Sequence, residues 1–510
     1  MKNYYKSPSS KIEIISFGGD GGLVSGSCHR VNFEGSDKGS GICVDYGLFQ
    51  GRDERSARGE RWNFTRVGDI AHGLTDILIT HTHIDHTGRI PMVYKAGLTQ
   101  RILATETTAI FMKPMLQNSA LIQAREHLPN RLYDEFDVDK TLRYLKVVKP
   151  YVKVPIGQKN SQITAEFLPN GHVMGANSIL IRTTNGDHQE QNILFTGDMG
   201  KPQQSLCGGY LDQVAKYPHD PIHILVVEST SFTREPISFE EKRTNLLNEI
   251  NNVWRNGGNP LLPVLSFHRF QEILEMLHNS QGELIPDDCQ IFIDAPLGMT
   301  LLDKFKKLSP EQLSNQYGDE ADFYKNEDES FGRFNLKNLT VINSHEDSIN
   351  LDKKLAGYPG KAIIIASGGM GEHGRSVNYL RGYFCKNPKN VVLFTCFQAD
   401  GTKGAALVHH ENVLNGRTKG AKVIKVDGFT SHISGPSETF AFLERFNLTK
   451  LETILITHGK NSARSAMMTE FQNRGYKANI ILPNLNQKIE IIGQSANTSP
   501  YNFSSRSGRL

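Results

Sequence analysis

The chain has 510 residues, more than one hydrophobic core usually supports, so two or more domains are expected. Its 38% hydrophobic and 22% charged residues are ordinary for a soluble globular protein, and no apolar run approaches the ~20 residues that span a bilayer, so no membrane role is expected. A net charge of +3 decides nothing about partners, because a nucleic-acid binder of this charge must gather its basic residues in one groove.

The chain opens "MKNYYKSPSSK", with no apolar segment after its basic residues, so no secretory signal is read there and a cytoplasmic placement is expected. Short β-rich runs then alternate with glycine-rich turns: "KIEIISFGG", "GICVDYG", "DILIT", "SILIRTT" and "NILFTGD". This texture predicts a largely antiparallel or mixed sheet system. From about residue 220, strands such as "IHILVVEST", "NPLLPVLS", "KAIIIAS" and "NVVLFTC" alternate with helical stretches such as "RFQEILEMLHNS". That alternation predicts a parallel α/β unit. The polar, acidic 309–330 segment reads as a surface excursion, and the basic "GRDERSARGER" (51–61) as a solvated loop. After about 420 the β-rich texture returns with "AKVIKVDG", "LETILITHGK" and "ANIILPN", and the last twenty residues read as a flexible tail. The order fits an α/β unit inserted between two pieces of another domain: 1–210, 211–420 and 421–490, then a tail at 491–510. Cys28, Cys43, Cys207, Cys289, Cys385 and Cys396 form no C-x-x-C pair, which suits a reduced compartment and argues against a cysteine zinc site.

The stretch "THTHIDHTGR" (80–89) packs three histidines and an aspartate directly after a buried strand. If that strand runs on, His81 and His83 project to one side, while Asp85 and His86 fall in the turn toward a helix. Two pairs of ligands then diverge, as two adjacent metals require. Imidazole and carboxylate together suit Zn²⁺, with Mn²⁺ or Fe as alternatives. Further ligands are expected at other strand ends: His172 in "PNGHVMGANS", Asp198 in "NILFTGDMG" and His458 in "LETILITHGK". Asp198, flanked by glycines, is the candidate for a carboxylate bridging two ions.

"HTHIDHTGR", with Asp45 in "CVDYG", His172 and Asp198, resembles the metallo-β-lactamase-fold hydrolases. The resemblance implies an αββα sandwich, one metal on His81, His83 and His172, a second on Asp85, His86 and His458, and Asp45 orienting the cluster from behind. Some 260 residues separate Asp198 from His458, too many for a loop, and the inserted unit accounts for them. Within the insertion, "VVEST" with Glu228, "LPVLSFHRFQEIL", "DAPLG", "ASGGMGEHGR" and "CFQADGTKG" resemble the ordered segments of the β-CASP nucleases. "FTSHISG" places His432, and "ITHGK" places His458, at two further motifs of that family.

The fold class so implied is α/β: a metallo-β-lactamase sandwich carrying an inserted parallel α/β β-CASP cap. The function implied is metal-dependent phosphodiester hydrolysis, in which two ions activate a hydroxide and clamp the phosphoryl oxygens. Asp85, Asp198, Glu228 and His432 are expected to carry the chemistry: His432 can protonate the leaving oxygen near neutrality, and Glu228 can orient its ring. Glycine-rich "SGGMGEHGR" after a buried strand, and "SHISGPSE", make Ser367, Gly368, Gly369, Ser431 and Ser434 candidate phosphate contacts. The DNA-directed branch of the family generally carries valine where His458 stands, so the resemblance favours RNA, single-stranded, in the branch that includes prokaryotic relatives of the cleavage-and-polyadenylation endonuclease. Endonucleolytic and 5′-exonucleolytic modes are both open, and a homodimer is compatible with the chain. A small-molecule ester or thioester hydrolase of the same fold is the alternative, as is a DNA nuclease. The small-molecule enzyme would keep the ligands but has no use for Glu228, His432 and a cap of about 200 residues.

Overall fold

The computed structural model describes residues 11–33, 41–51, 62–64, 67–126, 131–158, 162–184, 190–212, 217–317, 334–409, 420–492 and 495–501. Residues 52–61 of the basic loop, 318–330 of the acidic segment, and 502–510 lie outside the described residues. The chain divides into two compact units: Met1–Glu235 with Glu311–Ala321 and Ser431–Leu510, and Pro236–Pro310 with Asp322–Thr430.

Among the described residues the first unit holds two sheets. One contains β1 (Lys11–Gly18), β2 (Cys28–Phe33), β3 (Gly41–Val44), β4 (Leu74–Leu78), β5 (Arg101–Thr105), β6 (Leu145–Val148), β20 (Gln487–Ile492) and β21 (Ser495–Pro500), in the order β21-β20-β1-β2-β3-β4-β5-β6. The other contains β7 (Val154–Pro155), β8 (Thr164–Pro169), β9 (Asn177–Thr184), β10 (Glu190–Phe195), β11 (Ile224–Glu228), β18 (Thr453–Thr457) and β19 (Asn479–Ile481), in the order β19-β18-β11-β10-β9-β8-β7. Both are mixed: β3 to β6 run parallel, while β1 and β2 pair antiparallel.

Strand periodicity explains the layering. Side chains alternate faces, and Ile12 and Ile14 of β1 join Ile179, Ile181, Ile193 and Val226 of the other sheet in one buried cluster. Their neighbours Ile15 and Phe17 face outward into a second cluster with Met112 and Leu116 of the helix Glu106–Glu126. On the far side, Leu225, Val227, Ile454 and Ile456 pack against Phe440 and Phe471 of the helices Gly435–Leu443 and Asn461–Asn473. Helices therefore cover both outer faces of two stacked sheets, the αββα sandwich.

The second unit holds a six-stranded sheet: β12 (Pro260–Val264), β13 (Gln290–Asp294), β14 (Leu339–Val341), β15 (Ala362–Ser367), β16 (Val391–Phe394) and β17 (Lys422–Lys425), in the order β14-β13-β15-β12-β16-β17. Every pairing is parallel. The central strands β12 and β15 are buried along their whole length, as a parallel sheet covered on both faces requires. Beneath it, Lys242 and Arg269 each donate to one oxygen of Glu272, and all three residues are buried.

Three features differ from the sequence reading. The second unit opens at Pro236 rather than 211, because β11 pairs parallel with both β10 and β18 and so belongs to the sandwich. Part of the segment taken for a surface excursion is the helix Pro310–Tyr317, whose Leu313, Gln316 and Tyr317 are buried and which from Glu311 on falls in the first unit. Within the expected tail, Ser495–Pro500 pairs antiparallel with β20 as an edge strand.

Candidate active site

The site residues sit where strands stop. Thr80 to His83 follow β4, and the short helix Ile84–Thr87 carries Asp85 and His86 in its single turn. Asp198 follows β10, Glu228 ends β11, and His458 follows β18, which lies parallel beside β11. His172 lies in the turn between β8 and β9. Parallel strands all point the same way, so β11 and β18 deliver their C-terminal residues to one edge. Asp45 and His458 both adopt positive φ, 59° and 46°. Non-glycine residues so placed cluster at functional sites.

Two groups that could each hold a metal ion result: His81, His83, His172 and Asp198 in one, and Asp85, His86 and His458 in the other, the candidate atoms of each lying within 4.8 Å of one another. Asp198 faces both. Its Oδ2 is 3.7 Å from His81 Nε2 and 3.5 Å from His172 Nε2, while its Oδ1 is 3.3 Å from His86 Nε2. His458 Nε2 is 3.7 Å from Asp85 Oδ2.

Outer partners fix which nitrogen each ring presents. Asp45 Oδ1 accepts from the Thr80 amide (2.8 Å), Asp45 Oδ2 from the Thr80 hydroxyl (2.8 Å), and His86 Nδ1 lies 2.7 Å from Asp45 Oδ2. Thr80 Oγ1 lies 3.1 Å from His81 Nδ1. Thr230 Oγ1 donates to the His458 carbonyl (2.8 Å) and can accept from His458 Nδ1 (2.9 Å). With Nδ1 engaged, His81 and His86 turn Nε2 toward Asp198, while His458 presents Nε2 to Asp85 and keeps Nδ1 3.5 Å from Asp198 Oδ1. Asn170 ties two of the turns together, its side-chain amide donating to the Asp198 carbonyl (2.8 Å) and its oxygen accepting from the His172 amide (3.3 Å). Thr80, Thr230 and Asn170 were not read from the sequence. Thr230 sits two residues past Glu228 in "VVEST", yet a strand-end hydroxyl carries no signal of its own.

Burial weighs against charge on every ring. It prevails at His81, held well below the ordinary histidine value, and at His83, lowered to about 4, so both stay neutral, the form that binds cations. At His86 burial is outweighed by Asp198 and Asp45, which hold the ring well above its ordinary value. At His458 burial is outweighed by Asp198 and Asp85, and the ring rises to about 9. Burial would raise Asp198, but His458, His86 and His432 hold it well below the carboxylate range.

His86 Nε2, Asp198 Oδ1 and His458 Nε2 are buried and make no hydrogen bond among the described residues. Such groups cost free energy unless something pairs them. Imidazole nitrogens with shared carboxylate oxygens are the donor set of a divalent-metal site, so these residues fit metal ions.

Glu228 and His432 adjoin this centre. His432 Nδ1 is 3.0 Å from Glu228 Oε1, and its Nε2 is 3.8 Å from Asp198 Oδ2. Glu228 is itself pinned: Oε1 accepts from the Met199 amide (3.1 Å) and Oε2 from the Thr230 amide (2.7 Å). His432 also bridges Gly200 in an isolated antiparallel pair.

The candidate phosphate contacts are engaged internally. The Ser434 hydroxyl accepts from Lys201 Nζ (3.0 Å) and does not cap the helix it precedes. The Ser431 carbonyl accepts from Gln204 Nε2 (3.5 Å). Ser367, Gly368 and Gly369 lie in the second unit after β15. There the Ser367 hydroxyl accepts from the Arg375 amide (3.3 Å), and Gly368 takes a φ of 102° that a side chain would resist.

An αββα sandwich with a histidine–aspartate centre and a parallel α/β insertion defines a metallo-β-lactamase-fold protein with a cap. Residues 270–407 match the Beta-Casp domain. The chain is 26% identical over 488 residues to the probable RNase MJ4 of Methanocaldococcus jannaschii, covering 94% of this chain and 100% of that protein. It is 24% identical over 476 residues to ribonuclease TTHA0252 of Thermus thermophilus, covering 92% and 98%. Against endoribonuclease ysh1 of Schizosaccharomyces pombe it is 24% identical over 493 residues, 93% of this chain but 58% of the relative. The chain thus carries a match to the Beta-Casp domain and is similar along most of its length to proteins named as ribonucleases. No helix among the described residues is long and apolar enough to cross a membrane.

Proposed function

We propose that the chain is a metal-dependent ribonuclease that hydrolyses phosphodiester bonds in single-stranded RNA. The observation that carries the reading is Asp198 standing between two ligand groups, with the His432–Glu228 pair against it. Likeness to proteins named ribonuclease and endoribonuclease supports RNA as substrate.

His81, His83, His172 and Asp198 would hold one divalent cation, and Asp85, His86 and His458, with Asp198 shared, a second; Zn²⁺ is the ion we favour. Bound there, the ions supply charge neutralisation for an anionic phosphodiester and water activation near neutral pH. The chain's own residues do the rest. Asp45 and Thr80 hold His86 and His81 by Nδ1 and so aim their Nε2, and Thr230 holds His458 in place. Glu228 accepts from His432 Nδ1, which fixes the ring and leaves Nε2 facing the centre to hand a proton to the departing oxygen. Because Glu228 is pinned by two backbone amides, the ring it holds cannot swing away cheaply. Cytoplasmic placement and a homodimeric assembly belong to the same proposal.

The test uses purified protein and its His83→Ala variant on 5′-labelled single-stranded RNA and DNA of one sequence, with Zn²⁺ or Mn²⁺. The reading expects cleavage of RNA by the wild type alone, and fragment lengths separate internal from terminal cutting. Equal cleavage by the variant, or none by either protein with both metals supplied, overturns it.

A further inference from the structure

The helix Pro310–Tyr317 is the element of the first unit whose presence the rest of that fold does not explain, because the chain enters it from one segment of the second unit and leaves it for another. It is anchored at three places. Gln312 Nε2 donates to Glu106 Oε1 (2.9 Å), at the start of the long helix Glu106–Glu126. Gln316 Nε2 donates to Asn177 Oδ1 (3.2 Å). Tyr317 Oη accepts from the Gly175 amide (3.0 Å) and donates to Met174 Sδ (3.1 Å). Burial pushes the Tyr317 phenol well up, so it keeps the proton that it donates.

These contacts fall on backbone that carries site residues. Gly175 ends the turn holding His172, and its φ of 83° leaves no room for a Cβ, which would stand 2.8 Å from the Thr108 amide nitrogen. Its carbonyl is already gripped by Thr108 Oγ1 (2.6 Å) and Asn177 Nδ2 (2.5 Å), so with Tyr317 on the amide both peptide groups that flank the Gly175 Cα are held. Asn177 reaches further: its amide donates to the Thr80 carbonyl (2.9 Å), the residue that precedes His81 and binds Asp45. One short helix thus touches the supports of two separate ligand segments.

We propose that Tyr317 and Gln316 are positioning residues for the metal centre, setting the spacing between the His172 turn and the His81 strand end and thereby the affinity for metal. The proposal rests on the reading of His172 and His81 as ligands. Neither residue is offered as a ligand or as a group that touches substrate. Outer supports of metal ligands characteristically govern affinity in this way.

The test compares the full-length wild type, Tyr317→Phe, Gln316→Leu and His172→Ala, each stripped of metal and titrated with Zn²⁺ against a chromophoric chelator. Tyr317→Phe keeps the ring packed and removes only the hydroxyl, so folding is retained, and circular dichroism verifies it. The expected result is a loss of Zn²⁺ affinity of about 10-fold in Tyr317→Phe, at the lower end for outer-shell changes, and a loss of the same sense in Gln316→Leu. Affinity within twofold of wild type in both variants, with His172→Ala clearly weakened, overturns this proposal alone. Unchanged affinity in His172→Ala overturns the ligand reading and the proposal with it.

Discussion

Asp45 Oδ2 lies 2.7 Å from His86 Nδ1, and the same carboxylate takes both the amide and the hydroxyl of Thr80. One buried aspartate in a left-handed backbone conformation therefore fixes the His86 ring, a candidate ligand, and the segment that leads to His81. Asp45→Asn would keep the shape but set an amide N–H against Nδ1, inviting the wrong tautomer. Zn²⁺ affinity should fall about 10–100-fold, measured by chelator competition, while the far-ultraviolet spectrum stays that of the wild type. Undiminished affinity would show that His86 is oriented by something else.

The His432–Glu228 pair should matter to turnover and not to metal. Glu228→Gln keeps the side chain's size and one acceptor oxygen, serves one of the two backbone amides that Glu228 accepts from, and replaces the carboxylate that holds His432. His432→Gln removes the proton donor outright. Each should lower kcat on RNA by about 10²–10⁴-fold, the usual range for general acid–base groups, with metal content by mass spectrometry unchanged. Loss of metal in either variant would place the pair in the ligand set instead.

Gly47 is required by a close approach. A Cβ there would stand 1.5 Å from the Asp85 carbonyl oxygen and 2.8 Å from the His86 amide nitrogen. Gly47→Ala must push the Asp85–His86 turn outward, so a stability loss of about 1–3 kcal/mol should accompany weaker metal binding. If stability falls and metal affinity does not, the turn tolerates displacement and the ligand spacing is looser than described.

In the second unit, Glu272 is the shared acceptor of two buried cations, Lys242 and Arg269. Burial already pulls the Arg269 guanidinium down to about 10. Glu272→Ala strands both charges, and a cost of about 3–5 kcal/mol is expected, read as a lowered urea midpoint for that unit. Replacing all three by apolar residues of similar volume should recover most of it.

The ligand segments were legible because strand ends announce themselves. Apolar runs such as "DILI" and "ETILI" each give way to Thr-His, and in both the histidine lies just past the end of a strand. What the sequence hides is support at a distance. Thr230 reaches His458 across 228 positions, and nothing local to either residue signals the other. The helix Pro310–Tyr317 was misread for a similar reason: its buried side is Leu313, Gln316 and Tyr317, one apolar residue and two polar ones inside an acidic run. Its burial is bought by hydrogen bonds to Asn177 and Gly175, which leave no hydrophobic pattern. Ser495–Pro500 looked like a tail because an edge strand held by backbone pairing to β20 needs no apolar alternation.

The most direct measurement is a titration of metal-stripped protein with Zn²⁺ while cleavage of 5′-labelled single-stranded RNA is followed. The account predicts no cleavage without metal, activity that saturates at two equivalents per chain, and no cutting of DNA of the same sequence. Saturation at one equivalent, or cleavage undiminished in the stripped protein, would contradict it.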